Sequence, residues 1–308
     1  MRILLFLLLI TSGCNTSLHV GRMQNVKAFS GSAKSLSLTP AELYHNVSDF
    51  RHHLRLVESS TLFTADKIIP RLNQTLELKQ AFEDNVVKVE SACELLGVYV
   101  DGLALLAGEE KNWGEKTIDL PVRMNGILNN YNKAFGKKIP SGTGNFLGSV
   151  ISKLASMHLQ QLQKKYLVEY ISSGDTIVND VCDYFTEEVS VGLKSELNSL
   201  DAQFDNVMRN FYDNIEIYER KQNVSSFNYY KYYNPVYLGL KQTLVQLHIL
   251  LDETTVAMQK IKAAHTKLLS SLKDNISGEF LLEVEDLYLM MGKIKQGYDN
   301  LKALDTLK

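Results

Sequence analysis

The sequence predicts an all-α chain, an elongated and mostly antiparallel bundle of long helices packed in the manner of coiled coils. Three observations carry this expectation. Apolar residues recur at steps of three and four over most of the chain, which is the helical period. Only five prolines interrupt 308 residues, and 45% of the side chains are hydrophobic, enough for a sizeable core. Runs in which apolar and polar residues alternate, the mark of strands, are scarce.

The chain opens with MRILLFLLLITSGC: one positive side chain, eight consecutive apolar residues from Ile3 to Ile10, then small residues up to Cys14. At about 1.5 Å per residue, eight residues cover only about 12 Å of a hydrocarbon layer roughly 30 Å thick, so this segment cannot span a membrane. The order of its parts is that of a secretory signal peptide, over residues 1–13. With the cysteine directly after "TSG", the stretch "ITSGC" resembles the lipobox of bacterial lipoproteins, with Thr11 where a leucine is commonest. The resemblance covers the first fourteen residues alone. It implies acylation of Cys14 and residence in the cell envelope. Because Asn15 is not an aspartate, it points to an outer-membrane lipoprotein facing the periplasm, with surface exposure left open. An ordinary signal peptide followed by a chance cysteine is the plainer reading of the same residues.

Residues 14–38 are rich in Ser, Gly and Lys and show no evident helical stripe, so a flexible tether is expected there. It ends at "TPAE", where Thr39 as N-cap, Pro40 at the first helical position and Glu42 closing a capping box start a helix. Residues 39–308 then read as a single helical-bundle domain. Leu62 to Leu76 and Val86 to Ala107 carry a heptad seam with one register shift, and Pro70 should kink or split the first run near 65–69. Residues 109–141, with Trp113 and a short helix expected from Pro121 to about Phe135, break the pattern and read as an irregular elbow.

A further helical stretch is expected over 142–171, ended by "SSGD", and a longer one from Val178 to Tyr218. Asn234 and Pro235 look like a new helix start. Beyond them Tyr237, Leu240, Leu244, Leu247, Leu251, Met258, Ile261, His265, Leu268 and Leu272 form the cleanest seam in the chain. A last helix carries Phe280, Leu287, Ile294, Tyr298 and Leu301, antiparallel to the one before it.

The charge balance, 33 basic against 35 acidic side chains well mixed along the chain, gives no electrostatic reason to expect nucleic-acid binding. No catalytic motif is found, no cofactor is implied, and the chain reads as a non-enzyme. His45, Asp49 and His53 share a helical face, but two turns supply only part of a metal site, and none is expected. Cys93 and Cys182 could bridge in an oxidising periplasm or stand as buried thiols.

Two stretches bear on function. "FNYYKYYNPVY" concentrates five of the fifteen tyrosines at a helix–helix turn, and Tyr229, Tyr230, Tyr232 and Tyr233 are the candidate contact residues for a protein partner. The apolar, small-residue segments 92–108 and 142–157 resemble, in architecture only, the concealed heads of helical pore-forming cytolysins; core packing is the alternative use. The expectation is a lipid-anchored interaction or scaffold module, and a membrane-perturbing protein is the second reading.

Overall fold

The computed structural model describes residues 21, 23–62, 64–108, 116–136, 139–140, 142–157, 160–222, 227–274 and 278–305. Cys14 and Trp113 lie outside the described residues. Among the described residues every regular element is helical, and the fold is an all-α bundle. In chain order the helices are α1 (23–37), α2 (Thr39–Ser60), α3 (Ala65–Leu106), α4 (Lys116–Phe135), α5 (Gly142–Met157), α6 (Gln160–Asp183), a π-turn (Tyr184–Val189), α7 (Ser190–Gln222), α8 (Phe227–Asp274) and α9 (Gly278–Asp305).

The chain divides into two compact units. The first comprises residues up to Leu38, Ser91–Asp183 and Ala257–Met291; the second comprises Thr39–Glu90, Tyr184–Val256 and Gly292–Lys308. Their boundaries fall at the turn between α1 and α2, inside α3, α8 and α9, and at the π-turn. At the crossings inside α3, α8 and α9 the chain changes units without leaving a helix, so no linker composition marks them.

The first unit is built around the second half of α3. Leu95, Leu96, Val98, Tyr99, Val100 and Leu103 are all at most 1% exposed, so most of this part of the helix is enclosed, with Glu94 and Ala104 left on its exposed side. Helix α1 packs against it, so residues 23–37 are helix and not tether; residues 14–20 lie outside the described residues. Val26, Phe29, Ala33 and Leu36, spaced three, four and three, are fully buried. The serines that suggested a flexible chain are the small contact positions of a helix. Ser30 Oγ donates to Val26 O at 2.8 Å, Ser37 Oγ donates to Lys34 O at 2.8 Å, and Lys34 Nζ binds Asp101 Oδ2 at 2.9 Å. Hydroxyls that return to their own helix carbonyls can be buried at little cost.

Helix α6 approaches α3 through two reciprocal notches. The Tyr99 ring lies over Gly174 and the Tyr170 ring over Gly102, so that a Cβ on Gly174 would sit 2.5 Å from Tyr99 Cζ and one on Gly102 2.6 Å from Tyr170 Cζ. The rings stack at 5.3 Å and 5°. This explains why "SSGD" is not a break: Gly174 is needed for contact, and α6 runs through it to Asp183. Gln163 Nε2 closes the far end of α3 by donating to Leu106 O at 2.5 Å and Gly108 O at 3.1 Å.

The elbow is also more regular than expected. α4 begins five residues before Pro121. It ends at Gly136, whose φ of 73° is the left-handed conformation of a helix terminus. Beyond it, the Asn132 side chain exchanges hydrogen bonds with both backbone groups of Ile139. α5 packs on α4 and α6.

In the second unit α2 packs on α7, and α7 runs antiparallel to α8. Pro70 does not split the helix at 65–69, since it lies within α3, which runs on from Ala65; α2 ends before it at Ser60. Asn234 and Pro235 do not start α8, which begins at Phe227. The predicted α8 seam is buried from Leu240 to Leu272, with Thr254 at its centre fully enclosed, and the α9 stripe from Phe280 to Leu301 is buried too. Thr39 does open α2, and its carbonyl accepts the Tyr298 hydroxyl at 2.8 Å.

Candidate interaction site

The first three turns of α8 carry the tyrosine-rich stretch, so it is helical and not a turn. Helical spacing sorts its rings. Tyr230, Tyr233 and Tyr237, at steps of three and four, face α7, while Tyr232 projects outward. Tyr230 lies 6.0 Å from Tyr212, Tyr233 meets Phe211 edge-on at 4.9 Å, and Tyr237 lies 5.3 Å from Phe204. Tyr232 stands edge-on to Tyr233 at 5.0 Å and is 67% exposed. The side chain of Tyr229 lies outside the described residues.

Three of the four candidate tyrosines are thus brought together, but in two roles. Tyr230 and Tyr233 are half-buried and hold the ends of α7 and α8 together; Tyr232 is the ring offered to solvent. The α7 half of the site, Phe211 and Tyr212, has its own adjacent aromatic pair as a sequence signal, which the tyrosine run alone does not reveal. Tyr212 donates to Asn234 Oδ1 at 2.9 Å, and burial, with the neighbouring Tyr237 and Tyr230 phenols, pushes its hydroxyl above the usual phenol range. The exposed Ile217 and Tyr218 lie further along α7. Rings edge-on to each other gain about 0.5–1.5 kcal/mol beyond area burial, so the contacts beneath Tyr232 stabilise one another.

A second polar cluster lies in the first unit. Tyr99 Oη and His265 Nε2 share a hydrogen bond at 2.6 Å, and His265 Nδ1 lies 3.3 Å from Asp175 Oδ1. The hydrogen bond from His265 holds the Asp175 carboxyl below the usual carboxylate range, with Asn179 and Lys262 adding to it. Carboxylate, imidazole and phenol in series form the order that general-base chemistry uses. Here the chain runs inward and ends on a ring: Tyr99 is 0% and His265 1% exposed. The arrangement satisfies the polar atoms of a seam histidine, the role its position in α8 suggests.

The remaining candidates are placed as follows. Cys93 and Cys182 are buried thiols, and burial pushes Cys182 up to about 12. His45 Nε2 meets Glu90 Oε1 at 3.1 Å, and among the described residues no group of three side chains is arranged to hold a metal ion. The segment 92–107 is core of the first unit, and no described helix is long and apolar enough to cross a membrane. No protein-family model, curated protein or solved structure matches the chain.

Proposed function

We propose that the chain is a lipid-anchored, non-enzymatic interaction module of the bacterial cell envelope, held to the membrane by acylated Cys14 and contacting a protein partner through the aromatic end of α7 and α8. The observation that carries the reading is Tyr232, 67% exposed on a platform of packed rings. An exposed amphipathic ring with little freedom left to lose suits a contact residue, because ordering it on binding costs little. The well-mixed charge directs the choice to a protein surface over nucleic acid.

The membrane-perturbing reading has less support. It requires 92–107 to leave a core in which that segment is central, breaking the reciprocal Tyr99–Gly174 and Tyr170–Gly102 contacts. A photo-crosslinking amino acid at position 232, in the native cells, should give one discrete adduct that the same probe at exposed Glu77 on α3 does not. Absence of an adduct at 232, or the same adduct from both positions, refutes the contact surface.

A further inference from the structure

Helix α8 carries two seams. One, through Leu240, Leu244, Leu247 and Leu251, is the buried core stripe of the second unit. The other faces solvent: Leu238 is 56%, Val245 52%, Ile249 45% and Val256 42% exposed, with Gln242 and Asp252 completing the row. Steps of four, three, four, three and four make this a second heptad stripe, with 242, 249 and 256 at one core position and 238, 245 and 252 at the other.

The order of residues along this stripe is the same read in either direction about position 247. When two such helices lie antiparallel, each residue of one core position faces one of the other. Leu238 then meets Val256, Val245 meets Ile249, and polar Gln242 meets polar Asp252. No apolar residue is set against a polar one. From this the geometry points to a second copy of the chain as the occupant of the stripe, in an antiparallel two-fold dimer through α8, which goes beyond the function proposed above. A two-fold interface requires such self-complementarity, since one patch must fit itself.

The flanks agree. On the α7 side, Lys194 lies 3.9 Å from Asp252, while Asp201 and Asp205 lie 3.6 and 3.7 Å from Lys241, all partly exposed. The two-fold through position 247 carries each end onto the other, so Lys194 of one copy faces Asp205 of its partner. On the α9 side, a groove of about 470 Å³ opens beside Val245 and Gln246, floored by Ala303 and Leu304. Ile249 of the second copy reaches this groove. The stripe, about 27 Å long and about 10 Å wide, offers about 270 Å², a third of the roughly 800 Å² per partner of a standard interface, so the flanks and groove must contribute and a weak dimer is expected.

Sedimentation of the full chain in a density-matched non-ionic detergent tests this. Wild type should pass from monomer to dimer between about 1 and 100 µM. Val245→Lys with Ile249→Lys should remain monomeric at the top of that range with unchanged circular dichroism, as both positions are exposed. Lys194→Glu should weaken the dimer, and adding Asp205→Lys should restore it. A chain with Leu238→Cys mixed with one carrying Val256→Cys should cross-link between copies, whereas Leu238→Cys alone should not. A wild type that stays monomeric, a dimer indifferent to the two lysines, a charge exchange that fails to restore it, or cross-linking of the Leu238→Cys chain to its own copies would each overturn the proposal.

Discussion

Substituting Gly174 by alanine probes the closest helix contact in the first unit. The new methyl would lie 2.5 Å from Tyr99 Cζ, and the ring cannot swing away, because it is stacked on Tyr170 at 5.3 Å and bonded to His265 at 2.6 Å. Overpacking a core costs about 1–3 kcal/mol, and displacing the phenol strands a buried hydrogen-bonding pair for about 1–3 kcal/mol more. Alanine returns about 0.5–1 kcal/mol through its better helix propensity. The net is a destabilisation of about 3 kcal/mol, read from urea unfolding followed by circular dichroism. Gly126, mid-helix in α4 with open space around its Cβ position, is the control, and its alanine variant should gain about 0.5–1 kcal/mol. If Gly174→Ala is as stable as Gly126→Ala, the reciprocal notch does not exist as described.

Three further outcomes follow from the packing. Thr254 is fully buried and its Oγ1 has no hydrogen-bond partner among the described residues, so Thr254→Val should stabilise the chain by about 1 kcal/mol; a loss of stability in the same urea titration would contradict this. Asp175 titrates below its ordinary 3.8 in the folded state, so its contribution is complete above that value. It is lost as pH falls through the depressed native value, because the unfolded chain takes up the proton first. The stability difference between wild type and Asp175→Asn should therefore shrink as pH is lowered from about 5 to 2, and a constant difference would count against the His265 contact. Cys93 and Cys182 should resist a thiol reagent at neutral pH in the folded protein and react fully after unfolding; rapid labelling of the native chain would contradict their burial.

The parts of the fold that show in the sequence are those in which large aliphatic side chains mark the buried face. The α8 seam and the α9 stripe, with leucine at most turns, are of this kind. α1 is hidden because its buried face alternates Val26, Phe29, Ala33 and Leu36 with buried serines, which resemble linker chemistry until their hydroxyls are seen to return to the helix. Gly174 misleads in the same way: the residue that ends helices elsewhere serves here as a notch for a ring. Pro235 and Pro121 mislead in the other direction, since each lies past the first turn of its helix, where packing must offset a lost backbone hydrogen bond, and neither opens it. For the aromatic site, composition locates the cluster, but only the three-and-four spacing of Tyr230, Tyr233 and Tyr237 separates the packed rings from Tyr232. The changes of unit inside α3, α8 and α9 leave no mark, because they fall within continuous helices, whereas the change at Leu38–Thr39 coincides with the helix start at "TPAE".

The proposed placement at a membrane rests on one covalent event, acylation of Cys14, and mass spectrometry of the amino-terminal peptide from native cells tests it directly. The account predicts a chain beginning at Cys14 whose first residue carries the added mass of acyl groups. An unmodified peptide running through Gly13, Cys14 and Asn15, or a mature terminus elsewhere without lipid, would contradict it.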